Sequence, residues 1–245
     1  VDFCVDNRSI SSVLLRSGNI IYANGLVVCS GTFLNGLIHI GEDCFPAGRL
    51  GEKPSFCLSQ NIVNKGFIVS RLKTGTPPRL FSTSINFDNL ICAIGDRLPS
   101  PFSIQTSRPF KPTNIPCHIV YTNERVHNIL RENLDKSSMY SGKIEGAGPR
   151  YCPSIEDKIV RFKDRDKHQL FLEPEWSNSE QIYLNGFSTS MPKSIQECAL
   201  REISGLENVE LIRPGYAIEY DYFPTSQLKS TLETKSISGL FFSGQ

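Results

Sequence analysis

Two apolar, strand-like runs in this chain each end in Ser-Gly, and they lie near its opposite ends. Leu26-Val-Val-Cys29 runs into Ser30-Gly31-Thr32, and Leu240-Phe-Phe242 runs into Ser243-Gly244-Gln245. A buried strand that ends in small residues brings bare backbone to the carboxyl edge of a sheet, where α/β folds place cofactors. Either run alone reads equally well as an ordinary tight turn. Together, on the two sides of a long segment of different composition, they predict one nucleotide-binding sheet split by an inserted domain.

The flanking segments read as β structure with one helix. Ser12-Val-Leu-Leu-Arg16, the turn Ser17-Gly-Asn19 and Ile20-Ile-Tyr22 form a hairpin pattern. Ala23-Asn-Gly25 predicts a second hairpin into Leu26, because Asn-Gly readily takes positive φ. Leu58, Ile62 and Val63 give Ser55 to Gly66 a helical period. Phe67 to Leu72 reads as a strand and Lys73-Thr-Gly-Thr-Pro-Pro-Arg79 as an open basic loop. From Phe81 to about Glu145, Ser, Asn, Thr and Pro accumulate around two short β-like runs, Ile91–Ile94 and His118–Thr122. A short helix is expected at Val126–Leu134. The tail reads as a helix, Ser194–Ile203, then strands at Val209–Arg213, Tyr216–Phe223 and Leu240–Phe242.

Composition excludes several classes. With 26 Lys plus Arg against 25 Asp plus Glu, 39% hydrophobic and 21% charged residues, the 245-residue chain is that of an ordinary globular protein. A net charge of +1 leaves no room for nucleic-acid binding by bulk electrostatics, only for a local basic patch. The eight cysteines are never closer than 13 positions, so no C-x-x-C metal or redox pair exists, and reduced thiols are expected. No run approaches the ~18 apolar residues that span a bilayer. The start at Val1 and the strand-like end at Gln245 suggest a piece of a longer chain.

One cysteine stands apart. Pro153 precedes Ser154, an N-cap candidate with Glu156 and Asp157 in the first turn of the following helix. Cys152 therefore lies near a helix N-terminus, two residues from Arg150, and both features favour a thiolate. A buried, inert thiol is the equally weighted alternative. His39, His118, His127 and His168 are scattered and read as structural.

Several stretches then resemble one family closely. They are Gly31-Thr-Phe-Leu-Asn-Gly36, Arg71-Leu-Lys-Thr-Gly-Thr-Pro-Pro-Arg79, Gly148-Pro-Arg-Tyr-Cys-Pro-Ser-Ile-Glu-Asp-Lys158, Phe171-Leu-Glu-Pro-Glu175 and Arg213-Pro-Gly-Tyr-Ala-Ile-Glu-Tyr-Asp221. In order and over the whole chain, they resemble the MnmG/GidA family of flavin-dependent tRNA-modifying enzymes. The resemblance implies an α/β, glutathione-reductase-like FAD-binding fold of Rossmann type, split by an inserted nicotinamide-binding domain. Residues 1–77 would be the first part of the FAD domain, 78–207 the insert that holds NAD(H) and substrate, and 208–245 the returning FAD segment. The family's first phosphate loop and its helical C-terminal domain would lie outside Val1–Gln245.

The resemblance further implies C5 modification of the tRNA wobble uridine, U34, with an MnmE-type GTPase as partner. A folate one-carbon donor would supply the methylene carbon. Glycine or ammonium would supply the amino group, or taurine in mitochondria. The full-length protein would be a homodimer, cytoplasmic in bacteria or in the mitochondrial matrix of a eukaryote. Carried over residue by residue, FAD contacts fall on Gly31, Thr32, Ser55 and Gln245. NAD contacts fall on Gly148, Pro149, Arg150, Tyr151, Cys152, Pro153, Ser154, Ile155, Glu156, Asp157, Lys158, Ile159, Val160, Arg161 and Phe162, with a pyrophosphate received at the helix start. Cys152 would be catalytic, adding to uridine C6 or acting as an acid/base. Arg71, Lys73 and Arg79 would meet tRNA phosphates or cofactor, with a salt-bridged hinge as the alternative. Two other readings remain: a non-catalytic remnant that binds tRNA or the partner, and a folate- and FAD-dependent tRNA uridine methyltransferase. The methyltransferases lack the Arg71–Arg79 and Tyr151–Lys158 motifs.

Overall fold

The computed structural model describes residues 2–149 and 152–244. Strands β1 (Asp2–Asp6) and β2 (Ser9–Leu14) pair antiparallel, and β3 (Ile20–Tyr22) follows on β2. The first turn uses Asn7 and Arg8 at φ 48° and 60°, the two positive values that a tight two-residue hairpin demands. The Ser17-Gly-Asn19 turn stands where expected.

The Asn24-Gly25 hairpin does not form. Neither residue takes a positive φ, and β4 (Leu26–Val28) leaves this sheet altogether. It pairs in parallel with β15 (Leu240–Phe242), Leu26 opposite Leu240 and Val28 opposite Phe242. The Leu26 amide donates to the Gly239 carbonyl at 2.7 Å, so a distant segment takes the bond a hairpin would have used. Thus the two strands that end in Ser-Gly are neighbours, as the split-sheet reading requires. Helix α1 (Cys57–Asn64) turns Ile62 into a core with Phe3, Ile10, Phe67, Leu240 and Phe242. Each such side chain contributes about 1.5–3 kcal/mol on burial.

A second sheet has the order β6–β5–β14–β7, from β5 (Leu37–Ile40), β6 (Asp43–Pro46), β7 (Ser70–Thr76) and β14 (Tyr216–Tyr222). Its longest pairing joins β7 and β14 over seven residues, Thr76 opposite Tyr216 through Ser70 opposite Tyr222. The strand expected at Phe67–Leu72 therefore begins later and runs through what was read as a loop: Lys73 to Thr76 are strand. The reason is the partner, since β14 is buried from Tyr216 through Asp221 and offers an unbroken ladder.

Between β7 and β14 lies a third sheet, order β13–β8–β12–β11–β10–β9. It comprises β8 (Arg79–Phe81), β9 (Ile91–Ala93), β10 (Cys117–Tyr121), β11 (Gln169–Pro174), β12 (Gln181–Asn185) and β13 (Leu211–Arg213). Every pairing in it is antiparallel. Helices α2 (Glu124–Glu132), α3 (Ile155–Arg161) and α4 (Lys193–Arg201) bury Val126, Leu130, Ile155, Ile159 and Leu200 in the same core as Leu80, Val120, Leu170, Leu172 and Leu184. One boundary moves: β13, expected in the returning segment from 208, hydrogen-bonds to β8 and belongs to this third sheet. No helix among the described residues is long and apolar enough to cross a membrane.

Candidate active site

At the carboxyl ends of β4 and β15 a cleft of about 230 Å³ opens between Val28, Ser30, Leu34, Leu72, Asp221, Phe242 and Gly244. The Ser243 amide donates to the Val28 carbonyl at 3.0 Å, which ties the two strand ends together. Gly31 (φ +52°) and Gly244 (φ +86°) hold conformations that side chains rarely adopt, and open space lies where a Cβ would stand. Backbone is thus bare to an incoming group. Below, the Gly31–Gly36 turn is pressed against the 47–52 loop: a Cβ on Gly36 would stand 2.3 Å from the Ala47 carbonyl.

The FAD residues expected from the sequence divide. Gly31 lies at the strand end as predicted. Thr32 has its hydroxyl committed, donating to the Gly48 carbonyl at 2.6 Å. Ser55 is half-buried, its backbone fixed to Phe33 (2.8 Å) and Asn35 (3.0 Å), and it bridges to Leu34 of the cleft. Gln245 lies outside the described residues.

Leu72 borders this cleft and the next residue, Lys73, borders another, so two cavities flank one strand. The second cavity, about 360 Å³, is lined by Lys73, Met139, Tyr140, Gly148, Cys152, Asp157 and Arg161 among others. Cys152 is half-buried there, its amide donating to Pro149 at 3.2 Å. Burial first, then Asp157, pushes the Tyr140 phenol up to about 12, so it stays a proton donor. Burial also raises the phenols of Tyr183 and Tyr220, and Cys152 adds to both shifts.

Helix α3 starts at Ser154 as predicted, with a full capping box. The Asp157 amide donates to the Ser154 hydroxyl (3.0 Å) and the Ser154 amide to the Asp157 carboxylate (3.3 Å). The Ile155 amide donates to the Ser188 carbonyl at 2.7 Å. The amides of Ser154, Ile155 and Asp157 at this helix start are thus already bonded and a carboxylate stands among them, where the sequence led us to expect a pyrophosphate. Of the stretch Gly148 to Phe162, Gly148, Cys152, Pro153, Asp157 and Arg161 face the cavity. Ser154, Ile155, Glu156 and Ile159 are buried. Lys158 turns to the Gly186 carbonyl at 2.8 Å, and burial pulls its ammonium down. Val160 and Phe162 are exposed, and Arg150 and Tyr151 lie outside the described residues.

The basic triplet divides. Arg71 pairs with Asp221 at 2.7 Å, and Asp221 also accepts from Ser59 at 2.6 Å. Arg79 pairs with Glu175 at 2.8 Å and stacks 4.5 Å from the Tyr183 ring. These two are salt-bridged, as the alternative reading had it. Lys73, with Nζ 3.3 Å from the Met139 sulfur, has no carboxylate partner among the described residues. Cys29, expected in a buried strand, is exposed.

The sequence reading gave no role to Glu219 or Asp221, and named Glu156 only as a first-turn anion and an NAD contact. Glu156 is fully buried, and Oε1 accepts from Ser137 (3.1 Å), Thr189 (2.9 Å) and the Ser190 amide (2.9 Å). Glu219 accepts from the Glu145 and Gly146 amides at 3.0 and 2.7 Å and meets His39 at 2.9 Å. A usable signal was present: two carboxylates inside Tyr216-Ala-Ile-Glu-Tyr-Asp-Tyr222, an otherwise apolar and aromatic strand, must be paired if the strand is buried. His127 and His168 are structural as expected, joined through Thr122 (2.7 and 2.8 Å).

Comparison with known proteins places this geometry. The family model described as "Glucose inhibited division protein A" matches residues 1–245. The tRNA uridine 5-carboxymethylaminomethyl modification enzyme MnmG of Christiangramia forsetii is 48% identical over 98% of this chain and 39% of its own length. The enzymes of that name from Chlorobium phaeobacteroides and Thermodesulfovibrio yellowstonii are each 49% identical, over 98% and 100% of this chain and 39% of their own lengths. The chain therefore spans about two fifths of these relatives. Aquifex aeolicus GidA superposes on the whole chain with a TM-score of 0.91 at 48% identity, across 42% of that structure. A second crystal form gives 0.90 at 45%, across 40%. The Rossmann-type α/β fold class expected from the sequence holds.

Proposed function

The chain belongs to the glucose-inhibited division protein A family, and from that premise we propose that it is part of a flavoenzyme that modifies the tRNA wobble uridine at C5. The observation that carries this reading is the cavity that holds Cys152 and Lys73, separated only by strand β7 from the cleft at the paired strand ends.

The cleft fits part of a flavin dinucleotide: bare Gly244 lines it with an apolar wall of Val28, Leu34 and Phe242, and Gly31 follows Ser30 at its border. Bound there, the flavin would supply two-electron redox chemistry. Leu72 and Phe242 would shield it from water, and the Asp221–Arg71 pair would present it with a fixed dipole. A nicotinamide along Gly148–Phe162 would have to use the cavity side, Gly148, Cys152 and Arg161, because the amides at the helix start are already bonded. The folate donor, the MnmE-type GTPase and a homodimer complete the reading on the strength of the family resemblance.

In the second cavity Cys152 acts on the uracil ring. Its thiolate adds to C6, forming an Sγ–C6 bond while the C5=C6 pair moves toward C5 and O4. C5 thereby becomes the nucleophile that takes the one-carbon unit. Loss of the C5 proton to solvent water then expels the thiolate and restores the double bond. Tyr140, a phenol that stays protonated and here donates to Asp157 at 3.3 Å, would turn that donor to the developing O4 charge. Lys73 meets the flanking phosphate. Cys152→Ser in the complete protein should abolish U34 modification while visible flavin absorbance is kept. Retained activity would refute the assignment.

A further inference from the structure

We propose that Glu219 is a positioning residue: its carboxylate holds the glycine-rich loop that presents Cys152. The proposal rests on the reading of Cys152 given above.

Glu219 is 4% exposed, in the middle of a strand buried on both sides of it. A carboxylate in such a place is costly unless both oxygens are engaged. One oxygen meets His39 Nε2 at 2.9 Å. The other accepts two successive loop amides, Glu145 at 3.0 Å and Gly146 at 2.7 Å. The following residue completes the grip, because the Lys73 amide donates to the Ala147 carbonyl at 3.0 Å and Ala147 bridges to Leu72. Three consecutive loop residues are thus bonded to β14 and β7, and the loop is laid along the free edge of β7.

Residue 146 has to be glycine for this contact. A Cβ there would stand 2.9 Å from the Leu72 carbonyl carbon and 3.2 Å from Glu219 Oε1. Onward from the grip, Gly148 rests against the Lys73 side chain, where a Cβ would meet Cε at 3.0 Å. The Cys152 amide then bonds back to Pro149. A segment with glycines at 142, 146 and 148 would otherwise sample many conformations. Held at 145–147, the loop leads into Pro149, whose carbonyl accepts the Cys152 amide. Glu219 would therefore act on the reaction through orientation, the kind of effect that a misplacement of about 1 Å turns into a large loss of rate. His39, brought opposite Ala217 by the β5–β14 register, aims the carboxylate.

The test uses Glu219→Ala and Glu219→Gln in the complete protein. Amide exchange at Glu145 and Gly146 should quicken by about tenfold or more in Glu219→Ala. Turnover per bound flavin should fall by up to about a hundredfold with KM for tRNA little changed. Glu219→Gln, whose amide oxygen can still accept both N–H groups, should restore most of the protection and most of kcat. A merely structural role predicts lost flavin and lowered Tm with turnover per bound flavin intact, and that result would overturn the proposal. So would unchanged exchange at Glu145 and Gly146. If Glu219→Ala does not fold, Gly146→Ala disturbs the same contact from the loop side and should give the same exchange and kcat pattern. Activity retained in Cys152→Ser would sink the thiol reading alone, since exchange at Glu145 and Gly146 reports the grip independently.

Discussion

Phe242 stands opposite Val28 in a parallel register, and the next residue, Ser243, donates its amide to the Val28 carbonyl at 3.0 Å. Those two strands come from the two ends of the chain. Their pairing builds the cleft wall, so packing behind Phe242 bears on whatever the cleft holds.

Phe242 is the centre of an aromatic cluster, 5.3 Å from the Phe67 ring and 5.1 Å from Phe223. Phe242→Ala should cost about 3–5 kcal/mol by the usual arithmetic of lost transfer and cavity terms. Denaturant midpoints and visible flavin absorbance should fall together. Loss of stability with full flavin content would separate the cleft from the strand pair.

The three cations of the basic motif should behave differently from one another. Arg71→Ala leaves a largely buried Asp221 with only neutral partners and should cost about 1–3 kcal/mol, the ion pair being partly exposed. Lys73→Ala breaks no ion pair among the described residues, so its Tm should stay near wild type. Its tRNA affinity should drop instead, with the slope of log K against log salt reduced by about one. An unchanged slope would remove Lys73 from the phosphate contact.

Acid should weaken the fold through a histidine pair. Burial, then His127, Lys158 and Arg165, brings His168 down from 6.5 to about 4. The unfolded chain therefore binds the proton first, and stability rises with pH between about 4 and 6.5, by as much as about 3 kcal/mol. Tm measured across that window should climb. In His168→Gln the climb should be shallower, retaining the same-signed contribution of His127, whose burial also lowers it.

Glu156 should give the opposite slope. Burial raises its carboxyl above the ordinary value, so its contribution is fully present below about 4.5 and declines as pH rises through the folded-state value. Glu156→Gln keeps the acceptor for Ser137, Thr189 and Ser190 without the charge. Its Tm relative to wild type should increase from pH 5 to 8. Glu156→Ala strands three buried donors, and should be destabilised at every pH by several kcal/mol.

Alkylation alone will not single out Cys152. Six of the eight thiols, Cys29 among them, are exposed while Cys152 is half-buried. Bound tRNA should slow labelling of Cys152 and leave Cys4 and Cys198 unchanged in peptide mass spectra. Equal labelling with and without tRNA would move the substrate out of this cavity.

What could be read from the residues was what local chemistry decides. Ser154 caps a helix because Asp157 sits three positions on, and Ser17-Gly-Asn turns because glycine sits at its centre. Two of the failures came from distant partners. Asn24-Gly25 had the composition of a hairpin, yet Gly239 claimed the Leu26 amide. Lys73-Thr-Gly-Thr76 had the composition of a loop, yet β14 ran alongside it. The helix start at Ser154 invited an anion, and the near neighbour Asp157, already named in its first turn, takes the Ser154 amide. Family resemblance marked the Cys152 segment but not what steadies it, because Glu219 and the 145–147 loop are joined only in space.

Thr76 lies directly opposite Tyr216, so the chain leaves the second sheet and returns to it at one rung. That rung has a kinetic meaning. The ends of the antiparallel third sheet are already close together once it has folded, and a long excursion becomes a short tether. Pairing β7 with β14 then carries only a small closure entropy, where an unfolded excursion of the same length would carry more. Loop-closure entropy thus favours assembly in the order third sheet, second sheet, then β4 with β15.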